Sequence, residues 1–243
     1  IRIQPLNEDL ADSLGIAHNK GEFVQAVEPG GGAALAGIQP GGDKSGLGGF
    51  FGKHLAQELL ARDREQAALG QPKRVDSVVF LNGGLFPESH RPRLIQRLLL
   101  TPLGPLLAKL LNRRSFARSF AAIFGPNTRP DADELDAFWA LITAQDGQRI
   151  AHRLMRYVVE RRRQRERWVG ALTSATIPMR LINGALDPVS GAHLVARYRE
   201  LIREADVVWL DDIGHYPQIE APERVCASLR NFWGRIGAIS PAG

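Results

Sequence analysis

One cysteine in 243 residues, Cys226, leaves no intrachain disulfide and no cysteine-only metal site, so nothing in the chain demands an oxidising compartment. Long apolar runs are missing as well. A spanning helix needs about 20 apolar residues, and the nearest approach, Leu98 to Leu111, is broken by Pro102, Gly104, Pro105 and Lys109. No two histidines have zinc-ligand spacing, and no Gly-rich loop carries the lysine and hydroxyl of a phosphate-binding loop. Neither a metal nor a cofactor is therefore expected. Signatures of nucleic-acid modules are absent too, and the net charge of +5 comes mainly from arginines in helical pattern, which argues against a nucleic-acid partner. No signal peptide is visible. The chain begins at Ile1, without Met and inside a strand-like run, which suggests that the natural protein starts earlier.

What is present reads as a globular chain with an ordinary apolar fraction of 44%, large enough for one α/β domain or two small ones. Residues 1–43 form a unit of their own. Ile1-Arg-Ile-Gln and Gly21-Glu-Phe-Val-Gln-Ala-Val are strand-like, a short helix starts at Asn7, and a second helix with a turn spans Ala33 to Asp43. This segment, through IQPLNEDLADSLGI and KGEFVQAVEPGGGAALAGIQPGGD, resembles about half of a PDZ module of bacterial periplasmic trypsin-like proteases. That resemblance implies a peptide C-terminus as partner, bound by strand addition. Residues 44–54 are Gly-rich and read as a junction, and helical periodicity begins at Leu55.

From there the chain alternates. Val75 to Asn82 is an almost continuously apolar strand, Ile177 to Asn183 and Ala205 to Leu210 are further strands, and Ala192 to Arg203 and Pro222 to Ile236 are helices. Such alternation predicts a parallel sheet covered on both faces, an α/β fold. Between the first two strands lies a helical insertion, 85–168, divided by Pro92, Pro102, Pro105, Pro126 and Pro130, with an acidic helix start at Asp131. Its arginine run, Glu160 to Arg167, reads as a solvated helix face with carboxylates nearby.

Two strand ends carry ionisable side chains. Leu181-Ile-Asn-Gly-Ala-Leu-Asp187 and Trp209-Leu-Asp-Asp-Ile-Gly-His215 each run from an apolar strand into a Gly-containing turn. An Asp followed by a His in this arrangement is the acid–base half of a hydrolytic triad, with Asp187 orienting and charge-stabilising His215 while His215 moves protons. In this chain order the nucleophile must come earlier, on a strand-to-helix elbow.

Residues 55–240 resemble the C-terminal part of an α/β-hydrolase, in the group that holds mesoderm-specific transcript proteins, haloalkane dehalogenases and epoxide hydrolases. The residues that carry this are Ala56-Gln-Glu-Leu-Leu, Val79-Phe-Leu-Asn-Gly-Gly-Leu-Phe-Pro-Glu-Ser-His-Arg-Pro, Phe124-Gly-Pro-Asn-Thr-Arg-Pro, Arg167-Trp-Val-Gly-Ala-Leu, Gly184-Ala-Leu-Asp-Pro-Val and Gly214-His-Tyr-Pro-Gln. The resemblance implies a small organic substrate (ester, epoxide or haloalkane), Asp187 and His215 as triad acid and base, and 85–168 as a helical cap. It also puts Asn82 and His90 near the substrate pocket. Trp139, within the cap segment, is the aromatic candidate for the pocket wall, although packing is the plainer role for it and for Trp168.

Counting back from Ala56, the family's nucleophile position falls on Phe50 in Gly48-Gly49-Phe50-Phe51-Gly52, and phenylalanine has no attacking atom. Ser45 does not fit the elbow motif, since Asp43 stands two before it. The strands that precede the elbow in the family, with their oxyanion loop, have no counterpart, which suggests a truncated, chimeric chain with an open sheet edge prone to association. The two resemblances point to different compartments, cytoplasmic for the hydrolase part and periplasmic for the PDZ part.

Overall fold

A computed structural model describes residues 2–5, 22–26, 45–71 and 75–237. Strands β1 (Arg2–Pro5) and β2 (Glu22–Ala26) pair antiparallel, with an irregularity between Arg2 and Ile3. The short helices expected from Asn7 and Ala33, which complete the PDZ reading, lie outside the described residues.

Helix α1 runs from Ser45 to Ala67 and so begins ten residues before the periodicity at Leu55. The Gly-rich stretch is thus helical where a linker was expected. Each glycine is about 1 kcal/mol less favourable in a helix than alanine, so local preference opposes this. What favours it is elongation, since a helix already anchored at its C-terminal half adds one hydrogen bond per residue. The anchor is visible: Leu60 and Ala61 are buried in the main core, and α1 packs along α8 (Arg165–Thr173).

The central sheet has three parallel strands in the order β3 (Val78–Leu81), β4 (Met179–Gly184) and β5 (Asp206–Leu210). Every residue of the middle strand is buried, because helices cover both of its faces and a strand flanks each edge. On one side Leu181 packs with Phe80, Leu85, Leu172, Leu194 and Tyr198, while on the other Ile182 packs with Leu210, Ile213 and Val225. Helices α9 (Ala192–Leu201) and α11 (Pro222–Arg235) supply these covers, with the one-turn α10 (Pro217–Glu220) leading into α11. Arg180, buried within β4, pairs with Asp206 at 2.9 Å and donates to the Ser228 carbonyl at 2.7 Å, tying α11 to the end of the sheet away from the site.

Between β3 and β4 the chain forms α2 (Leu94–Leu99), α3 (Gly104–Leu110), α4 (Arg113–Ala121) and α5 (Ala132–Thr143). A 3-10 turn (Ala144–Ile150), α6 (Ala151–Leu154) and α7 (Tyr157–Arg163) complete the insertion. Asn112 and Asp131 cap α4 and α5, each in a reciprocal capping box, so the acidic start read at Asp131 is a helix cap. The arginine run is less solvated than expected. Arg161 is only 2% exposed, against the Gly84 backbone and 5.9 Å from the Tyr157 ring centre, and burial pulls its guanidinium down to about 10. Arg165 and Arg197 both bind Glu88, and Arg167 binds Glu58 and Glu65. Arg162 and Arg163 are exposed as expected, and the last arginines find their carboxylates far away in sequence, so the buried Arg161 is the departure.

Candidate active site

All three parallel strands end on the same side, and their C-terminal loops meet there. Ala185 donates its backbone N–H to the Leu210 carbonyl at 2.9 Å, and Leu186 donates to that of Ile213 at 3.0 Å. This close approach requires glycine at 184, where an added Cβ would come within 2.7 Å of the Ile213 carbonyl oxygen. Crevices beyond the carboxyl ends of parallel strands are where α/β proteins place ligands.

Asp187 and His215 project from these loops and meet. The structure brings His215 Nδ1 to 2.7 Å from Asp187 Oδ2. An ionised carboxylate only accepts, so Nδ1 carries the proton and donates, leaving Nε2 as the ring's acceptor. Asp187 is 3% exposed and receives three further hydrogen bonds, from Ser190 Oγ at 2.6 Å, Asn82 Nδ2 at 2.8 Å and the Val189 N–H at 2.7 Å. Burial alone would raise this carboxyl, but the hydrogen bonds from His215, Ser190 and Asn82 outweigh it and hold the group well below the usual carboxylate range. The acid is therefore charged and fixed.

Asn82 is placed differently from the pocket-lining role its motif suggested. It is 1% exposed and sits at φ 41°, where asparagine is among the side chains that tolerate left-handed backbone. Besides holding Asp187, its Nδ2 donates to the Gly214 carbonyl at 3.2 Å, and its Oδ1 accepts from the Gly184 N–H at 2.7 Å. One side chain at the end of β3 thus links the acid's strand to the histidine's loop. His90 is half-buried with its ring 6.4 Å from that of Tyr157. Trp139 reaches the site only through other rings, tilted against Phe116, which stacks on Phe120, which contacts Tyr216 at 5.4 Å. Tyr216 in turn lies edge-on to His215 at 4.8 Å. The cap therefore presents an aromatic wall to the histidine. Phe50 lies in the interior of α1, with no described strand leading into a turn before it, and its side chain is outside the described residues.

Several residues that organise the site had no signal in the sequence. Ser190 accepts from the Gly83 N–H at 3.0 Å while donating to Asp187, so it joins the β3 loop to the acid. Glu220 stitches the histidine loop to the cap: its carboxylate accepts from the N–H groups of Gly214 at 2.8 Å, Tyr216 at 2.9 Å and Gly125 at 2.8 Å, and from Thr128 Oγ1 at 2.6 Å. Its role depends on residues more than ninety positions upstream.

Two cavities lie away from this cluster. One of about 160 Å³ is between α1 and α8, and one of about 330 Å³ is beside Leu94 and Leu98; neither contains a histidine. Among the described residues no group of His, Cys, Asp and Glu is arranged to hold a metal ion.

A haloalkane dehalogenase, the DbeA-M1 loop variant from Bradyrhizobium elkanii, superimposes with a TM-score of 0.58, covering 79% of this chain and 67% of its own at 20% identity. The chain carries an α/β-hydrolase fold. Sequence relatives agree with the fold. The mesoderm-specific transcript homolog protein of Homo sapiens is 43% identical over 176 residues, 71% of this chain and 52% of that protein. LipZ of Mycobacterium tuberculosis H37Rv, named as a hydrolase, is 40% identical over 173 residues, 71% of this chain and 59% of that protein. The hydrolase-fold chain thus spans only about half the length of the curated relatives it matches. No family model matches it.

Proposed function

We propose that this chain is an α/β-hydrolase unit in which Asp187 and His215 are the acid–base half of a hydrolytic triad. The observation that carries the reading is the 2.7 Å hydrogen bond from His215 Nδ1 to a buried, fourfold hydrogen-bonded carboxylate. In that geometry His215 Nε2 takes a proton from a nucleophile or water, and Asp187 stabilises the imidazolium that forms. The substrate class is a small ester, epoxide or haloalkane, in keeping with the hydrolase-named relative and the dehalogenase neighbour. The aromatic wall of Phe120, Phe124 and Tyr216 favours an apolar substrate group.

Turnover by this chain is impaired, because Phe50 stands where the family's nucleophile would and has no atom that can form a covalent intermediate. Members of a triad act as a unit, so the acid–base pair alone retains little of its rate. The test is an assay of the unmodified chain on nitrophenyl esters, styrene oxide and short haloalkanes. The expected outcome is no turnover above buffer, together with ligand-induced thermal stabilisation that His215→Ala leaves in place. Turnover that His215→Ala abolishes would overturn the impairment and leave the acid–base assignment standing.

A further inference from the structure

The outer face of α2 and α3 is apolar and cationic at once. On α2, Leu94 and Leu98 are 70% and 38% exposed and flank the exposed Arg97. On α3 and at its N-cap, Leu103, Leu106 and Leu110 are 62%, 57% and 62% exposed, near the exposed Lys109. The two helices pack together, and their inner face is apolar too, with Leu99 and Ala108 buried against Met155. A helix apolar on both sides is ordinarily enclosed by protein or lipid. Here the outer leucines of both helices meet water, and exposed apolar surface of this extent marks an interaction surface.

Charge identifies the partner. Residues 89–130 contain eight Arg and Lys and no Asp or Glu, and neither Arg97 nor Lys109 has an ion pair among the described residues. A second copy docking face to face would set these cations against each other, since a two-fold interface is self-complementary. No helix of the described residues is long and apolar enough to cross a bilayer. Exposed leucines interleaved with cations on two neighbouring short helices match a bilayer interface, where side chains enter the acyl boundary and cations meet anionic headgroups. We propose that the α2–α3 face of the cap docks on an anionic lipid surface, seating the hydrolase fold at the membrane with its cap toward the lipid. A groove of about 330 Å³ that shares Leu94 and Leu98 with this face opens beside it.

The experiment is co-sedimentation of the full chain with vesicles of phosphatidylcholine alone and of phosphatidylcholine mixed with phosphatidylglycerol. Two variants accompany it: Leu103→Ser with Leu106→Ser and Leu110→Ser, and Arg97→Glu with Lys109→Glu. Because these side chains are exposed, both variants should keep the parent's circular dichroism and melting temperature, which controls for misfolding. The wild type should bind the anionic vesicles and be released by salt. Each juxtamembrane cation contributes about fivefold in partitioning, so charge reversal should weaken binding more than tenfold, as should the leucine variant. Failure to bind anionic vesicles, or binding that both variants retain, would overturn the proposal. A concentration-dependent dimer that the leucine variant alone abolishes would also overturn it, by assigning the face to a second copy.

Discussion

Asn82 shows how much one side chain can hold. Its amide oxygen accepts from Gly184 and its amide nitrogen serves Asp187 and Gly214, all within buried surroundings. Asn82→Ala would leave a buried N–H and a buried carbonyl unsatisfied, at about 1–3 kcal/mol each. Urea denaturation should therefore show a loss of about 2–6 kcal/mol, well above the effect of a typical surface substitution. At this scale the sequence announced Asp187 and His215, because each follows an apolar strand that ends in a Gly turn. It did not announce their supports. Ser190 and Glu220 each join a neighbour in sequence to partners that only folding brings near, Gly83 for Ser190 and Gly125 and Thr128 for Glu220, and nothing in their local sequence distinguishes them from ordinary turn and helix residues.

At the scale of elements, the contact between α1 and α8 rests on a buried apolar seam and on two carboxylates of α1, Glu58 and Glu65, that both hold Arg167. Glu58 accepts from Arg167 at 3.0 Å, Trp168 Nε1 at 2.9 Å and Arg62 at 3.0 Å. Burial would raise the Glu58 carboxyl, but these hydrogen bonds, Arg167 foremost, bring it down to about 2. Its folded value thus lies below the ~4.3 of an unfolded glutamate. The stabilisation is present above about 4.3 and is lost as pH falls through the interval from there to about 2. Melting temperature measured across that interval should drop, and Glu58→Gln should flatten the drop while costing about 1–2 kcal/mol at neutral pH, the screened worth of a partly exposed group. The helix–strand alternation from Leu55 onward was legible because burial on two faces imposes continuous apolar runs on strands and 3.6-residue spacing on helices. The helical state of the Gly-rich 45–54 stretch was not, since it comes from elongation of an anchored helix and opposes local preference.

For the molecule as a whole, stability should be greatest where both faces of the sheet are covered. Amide hydrogen exchange should be slowest at 180–184, the wholly buried middle strand, and faster in the outer cap around 103–110, where five of the eight side chains face solvent. Uniform protection across sheet and cap would contradict this ranking. By itself the sequence determined the α/β class, the parallel strands and the two strand-end residues, Asp187 and His215, that the fold joins by a hydrogen bond, because periodicity and strand-end chemistry are local properties of a chain. Only the tertiary structure decided that Asn82 clamps the acid, that Arg161 is buried, and that the cap turns its leucines outward. Those outcomes depend on which distant residues share a space, and no spacing along the chain encodes that.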